Sequence, residues 1–291
     1  MLRLFVRSLW VSGVSVENVR RRILRIDGLT RAVPRGASAH EVDANGVPCQ
    51  WIIPLGVDSD RVLVYLHGGG FSTHLPRLYA NFAADLGRRL DAKVFLVDYR
   101  LAPEHPFPAA PDDCITAYQW LLEQPGISAD KLVMAGDSAG GNLTLVTLLD
   151  ARQRGLDLPA AAWAISPGVD CRWDETTFRS LQESDPMFTI DSLDFMEPYF
   201  GHSDRNDYRV SPVCGDMTGL PPLLIEAGGV EMLRQEPERF AGPARSAGVS
   251  VTTRVWKGMP HVFQVFGFLP EAKKARRDAC QFLSEHMAPV A

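Results

Sequence analysis

The chain has no excess of basic charge, no paired cysteines and no long uninterrupted apolar run, and each absence closes a class of function. Its formal net charge is −5 over 291 residues, without the basic stripe that tracks a nucleic-acid backbone, so no nucleic-acid partner is expected. The cysteines (Cys49, Cys114, Cys171, Cys214 and Cys280) are scattered, odd in number and free of any C-x-x-C pair. They predict reduced thiols in a cytoplasmic protein, neither a disulfide framework nor a zinc site. No segment is apolar for the length of a membrane span. Residues 1–10 are basic and apolar, but Arg3 and Arg7 interrupt them; the pattern predicts an amphipathic helix rather than a signal peptide, and no stable membrane insertion. The densest basic run, Arg20-Arg21-Arg22, with Arg25 on the same helical face, predicts a solvated surface.

What is present is ordinary globular material, 46% hydrophobic and 22% charged, enough for one large domain with an elaboration. Short apolar runs recur at 61–66, 93–97, 131–135, 161–165, 222–227 and 249–255. Their lack of clean alternation suits parallel strands buried on both faces. Helical spacing lies between them. Leu78, Phe82, Leu86 and Leu90 fall four apart, and Ala275, Ala279, Phe282 and Leu283 share a face in 270–287. The alternation predicts a doubly wound α/β sheet, mostly parallel and flanked by helices. Residues 1–45, helical and then loop-like, and the aromatic-rich insertion 170–218 stand outside this rhythm. Both are expected to form a cap over the strand C-terminal ends, where open α/β sheets bind ligands.

The run Gly136-Asp137-Ser138-Ala139-Gly140 fits G-x-S-x-G, with an apolar strand before it and a helix predicted after it. A serine forced between strand and helix crowds its flanks, so small residues are needed two before and two after. Its hydroxyl then stands clear of the sheet near a helix N-terminus, where partial positive charge favours a developing anion. Ser138 is therefore the expected nucleophile, and Asp137 a structural hydrogen-bonding residue. Upstream, His67-Gly68-Gly69-Gly70-Phe71 closes the first strand of the series. Consecutive glycines let backbone N–H groups face a substrate oxygen, and with the N–H of Ala139 they make a candidate oxyanion hole. His67 reads as a brace for that loop.

The order Ser, acid, His places the base after a late strand. His261 follows the turn Lys257-Gly258-Met259-Pro260; His202 falls in the insertion and His286 on the last helix. The acid should follow the strand 222–227. Glu231 is the first carboxylate there and Glu236 the alternative, while Glu226 falls within the strand, and Glu236 and Glu238 are expected to face solvent on the next helix.

Together these motifs, with Asp98-Tyr99-Arg100-Leu101-Ala102-Pro103-Glu104 and Gly258-Met259-Pro260-His261, resemble the bacterial branch of the hormone-sensitive-lipase family of esterases. The match runs from about residue 45 to the C-terminus. It implies a single α/β-hydrolase domain over 1–291, no cofactor and no metal, and hydrolysis of short- to medium-chain acyl esters. It also implies an oxyanion hole from Gly69, Gly70 and Ala139, with Arg100 and Glu104 as braces. Many members carry Asp at the position of Val230; others place Glu one residue later, as Glu231 stands here. The rivals are an amidase or peptidase on the same triad and a non-catalytic receptor like the gibberellin receptor, which lacks the histidine. An edge strand at 249–255 could pair across a homodimer.

Overall fold

The six apolar runs fold as strands of one eight-stranded sheet in the computed structural model, which describes residues 15–173 and 175–289. The strands are β1 (Ala37–Ala44), β2 (Val47–Pro54), β3 (Val62–Leu66), β4 (Lys93–Val97), β5 (Leu132–Asp137), β6 (Ala161–Ile165), β7 (Leu223–Gly228) and β8 (Val251–Trp256). Their spatial order is β1-β2-β4-β3-β5-β6-β7-β8. From β4 to β8 every pairing is parallel, and β1 and β2 join antiparallel at one edge. Every residue of β3, β5, β6 and β7 is buried, which explains their mostly apolar character; the carboxylates of Asp137 and Glu226 are the exceptions. β8 lies at the other edge and is half-exposed.

Helices α2 (Pro76–Leu90) and α8 (Pro270–His286) cover one face, packing Phe82, Leu86, Ala279 and Leu283 against Leu63, Val94 and Val133. On the other face, α3 (Ala109–Leu122), α4 (Ala139–Gln153) and α7 (Glu236–Ser246) bury Tyr118, Leu143, Leu148 and Phe240. Each such large apolar side chain contributes about 1.5–3 kcal/mol on leaving water. The chain steps from β3 to β4 in one direction and returns to place β5 on the other side of β3. The C-terminal ends of β3 and β5 thus flank the switch point, where the crevice of an open sheet forms.

One expectation needs correction here. Residues 37–44, expected to be loop at the end of a cap segment, form β1 and belong to the sheet. Their partner turn, Asn45-Gly46, has φ of 54° and 89°, the left-handed pair that a two-residue hairpin demands. The remainder of that segment includes α1 (Val16–Asp27), whose Val16, Val19 and Ile23 are buried; residues 1–14, with the predicted amphipathic helix, lie outside the described residues. The insertion between β6 and β7 carries α5 (Glu175–Leu181) and α6 (Glu197–Phe200), joined by short turns. Among the described residues no helix is long and apolar enough to cross a membrane.

Candidate active site

Ser138 occupies the step from β5 into α4 with φ 54° and ψ −117°, a conformation few non-glycine residues adopt. The two glycines of the motif permit it. A Cβ at Gly136 would stand 2.3 Å from the Gly140 carbonyl oxygen, and one at Gly140 would stand 2.0 Å from that of Leu66. The elbow is therefore wedged between its own helix and the end of β3. Asp137 points away from the cavity chemistry, as expected. It accepts the hydroxyls of Tyr65 and Tyr79, each at 2.8 Å, and the N–H of Gly68 at 3.0 Å. Burial pushes its carboxyl up, against the pull of these donors. One carboxylate thus ties the end of β5 to the glycine loop.

That loop leaves β3 in a tight curl. Ser72 and Thr73 donate their N–H groups to the Gly69 carbonyl, and a Cβ at Gly69, where φ is 130°, would meet the Thr73 carbonyl oxygen at 2.0 Å. His67 braces it from below. Its ring stacks between Tyr99 at 4.3 Å and His74 at 3.9 Å. Burial, then His74, holds its pKa well below the usual histidine value, so it stays neutral. His67, His74 and Asp98 are the one group among the described residues able to offer three ligand atoms within 4.8 Å. The two ring planes lie parallel at 10° with centroids 3.9 Å apart, so no ion can lie in the plane of both, and His74 Nδ1 is already 3.1 Å from Asp98.

Glu231 and His261 arrive from the loops after β7 and β8. Both are buried, and Glu231 Oε2 lies 3.2 Å from His261 Nδ1. Burial opposes protonation of this imidazole. The Glu231 charge and hydrogen bond, with Asp185 and Asp137 beyond, outweigh that, and its pKa is raised above the ordinary histidine value. Glu236, the alternative acid, is not at the site and not in solvent. It is buried at the start of α7 and accepts the N–H groups of Val169 and Asp170 at 2.9 and 3.0 Å. Burial raises its pKa to about 7. Helix polarity suggested a wet face, but the loop after β6 folds over it. Glu238 is exposed. Glu226, buried in β7, accepts from the indoles of Trp163 and Trp256.

Ser138, His261, Gly69, Gly70 and Ala139 line one cavity of about 320 Å³. Its far wall is apolar: Ile23 and Ile26 from α1, Trp173, Phe188, Phe195 and Met196 from the insertion, and Met232 and Phe266. Phe188 packs edge-on against the His261 ring at 5.0 Å.

A family model described as an α/β-hydrolase fold matches residues 63–265. The chain belongs to this α/β-hydrolase family. The hydrolase is 38% identical to an acetyl-hydrolase of Streptomyces hygroscopicus over 80% of its own length and 78% of that protein. It is 33% identical to the esterase LipU of Mycobacterium tuberculosis over 95% of its length and 93% of the relative's. A solved esterase from the bacterial hormone-sensitive lipase family superposes with a TM-score of 0.91 at 32% identity, covering 99% of this chain and 97% of that one.

Three residues of the hydrolase's site escaped sequence reasoning. Ser166, buried after β6 with φ 46°, donates to Glu231 Oε2 at 2.9 Å and accepts the Val262 N–H at 3.2 Å. Asp185, buried in the insertion, accepts the Met232 N–H at 2.8 Å, one residue beyond Glu231. Ser166 precedes a proline at the end of an apolar run, a faint signal; Asp185 has none. Arg20, expected on a solvated face, reaches inward to both Glu104 oxygens and to the carbonyls of Ser72 and Ala102. Arg100 forks onto Asp113.

Proposed function

We propose that this α/β hydrolase cleaves short- to medium-chain carboxylic esters by acyl transfer to Ser138, with His261 as base, Glu231 as its partner, and the N–H groups of Gly69, Gly70 and Ala139 as the oxyanion hole. The observation that carries this reading is the buried Glu231–His261 pair at 3.2 Å, opening into the same cavity that Ser138 and the glycine loop line. Because Glu231 engages Nδ1, the other ring nitrogen is left for the serine.

In the first half-reaction His261 Nε2 takes the Ser138 hydroxyl proton as Oγ attacks the ester carbonyl carbon. The glycine loop and Ala139 stabilise the oxyanion; each such donor contributes about 3–4 kcal/mol to lowering the barrier. The imidazolium, stabilised by Glu231, returns the proton to the leaving alkoxide as the C–O bond breaks. Water then repeats the cycle on the acyl-enzyme. The modest cavity volume and the acetyl-hydrolase among the relatives support small acyl groups.

The test is a series of p-nitrophenyl esters from acetate to decanoate, with matched anilides. Activity should peak among the shorter esters, anilides should turn over poorly, and Ser138→Ala should abolish turnover with the melting transition intact. Esterase activity retained in Ser138→Ala would overturn the assignment.

A further inference from the structure

Large apolar side chains left in water are scattered singly over most soluble proteins. Here they are concentrated. Seven are exposed among the described residues, and four of them, Leu24, Ile26, Leu29 and Val33, fall within ten residues of one another. Leu29 is 88% exposed. Leu55, 86% exposed, adjoins the same strip, since its N–H donates to the Gly36 carbonyl. Phe268 is two residues beyond the cavity-lining Phe266, whose ring it meets at 6.0 Å.

The strip is held rigidly. Asp27 accepts the N–H groups of Arg77 and Leu78 at the start of α2. The Arg77 side chain donates to the carbonyls of Gly28 and Thr30, and Asn81 to that of Arg31. A segment so anchored holds its exposed apolar side chains in place, and Ile26, on a different side of α1 from Leu24, lines the cavity.

Charge follows the same strip. Between residues 15 and 36 there are six arginines and two acids, in a chain whose net charge is −5. Of the two acids, Asp27 is buried in the α2 cap. Arg20 is engaged inward, whereas Arg21, Arg25, Arg31 and Arg35 are exposed and alternate with the apolar residues. Guanidinium groups beside exposed aliphatic side chains match a lipid headgroup layer, phosphate outside and acyl boundary beneath.

We propose that the strip from Arg21 to Arg35, with Leu55 at its side, docks the enzyme on an anionic lipid surface. Docking there brings the cavity wall at Ile26 to the headgroup layer, so that esters dissolved in the bilayer enter without crossing water. The entry step rests on the esterase reading above; the docking itself does not.

The experiment is sedimentation of the full chain with phosphatidylcholine vesicles, alone or mixed with an equal amount of phosphatidylglycerol. The chain should pellet with the mixed vesicles and be released by salt. Arg25→Gln/Arg31→Gln should weaken this binding about tenfold or more, and Leu29→Gln/Val33→Gln by a similar factor. Both variants should keep the wild-type kcat/KM on water-soluble p-nitrophenyl acetate, and Ser138→Ala should bind vesicles normally. Equal binding to both vesicle types, or unchanged binding by both variants, would overturn the proposal. A dimer in sedimentation velocity that the variants disrupt, without vesicle binding, would instead assign the strip to a second copy of the chain. An inactive wild-type chain that still binds would defeat the esterase reading alone.

Discussion

Around Ser138 and His261 the cavity floor is built of buried polar groups on the loops after β3, β5, β6, β7 and β8, each fixed by named donors and acceptors. The facing wall, from α1 and residues 173–200, is apolar and meets the same space with isoleucine, methionine and aromatic rings. The floor tolerates little change of shape, because a carbon added at Gly68, Gly69, Gly136 or Gly140 would stand 2.0–2.3 Å from a neighbouring atom. The wall sets volume rather than geometry. Under the proposed function, chemistry and selectivity fall to different parts of the chain.

Substitutions in the floor should have the largest effects. Glu231→Gln should lower kcat by about three to four orders of magnitude, because an amide can leave the imidazole in the wrong tautomer and without its counter-charge. Glu236→Gln, at an equally buried carboxylate, should leave kcat within about twofold and cost stability alone, about 1 kcal/mol, read from the denaturation midpoint. A reversal of these two outcomes would move the acid. Next in size, Gly140→Ala should destabilise the fold by about 3 kcal/mol or more, since the new carbon meets the Leu66 carbonyl. Gly242→Ala, in α7 with open space around it, should be neutral or stabilise by up to about 1 kcal/mol.

In the wall, Phe195→Ala should leave acetate hydrolysis nearly intact and raise the relative rate on octanoate esters by about tenfold, since a pocket contact discriminates by that order. The smallest effect concerns pH. His261 must be neutral to accept a proton, and Glu231 raises its pKa. The acidic limb of kcat/KM should therefore lie above the ordinary histidine value of about 6.5. Ser166→Ala removes a donor from Glu231 Oε2, concentrating its charge on His261, and should move that limb upward by a fraction of a unit. Merely structural loss at Ser166 would change the midpoint of unfolding and leave the limb in place.

The same division decided what could be read from the sequence. Ser138, Gly69 and Gly70 were singled out because steric demands at a strand end force small residues at fixed offsets, and His261 because chain order calls for a histidine after a late strand. The interior strands were legible because burial on both faces keeps polar residues out except where, as at Asp137 and Glu226, buried donors satisfy them. The β1–β2 hairpin was missed although Asn45-Gly46 marks it: an edge strand such as Ala37–Ala44, partly wet, mixes polar and apolar residues. Glu236 was misplaced because a carboxylate in a helix's first turn reads the same whether water or backbone N–H groups satisfy it. Ser166 and Asp185 act through hydrogen bonds to residues distant in sequence, which leave no periodicity behind.

Asp185 has one more consequence. Its carboxylate accepts the N–H groups of Met187 and Phe188 as well as that of Met232, while the neighbouring Ser184 hydroxyl donates to the Val230 carbonyl. The insertion is thus stitched on both sides of Glu231, and an acid this close to a seam feels any tug on it. Transplanting a foreign cap onto this scaffold to change its selectivity would sever those stitches unless the donor segment brought its own serine and aspartate to the same two places.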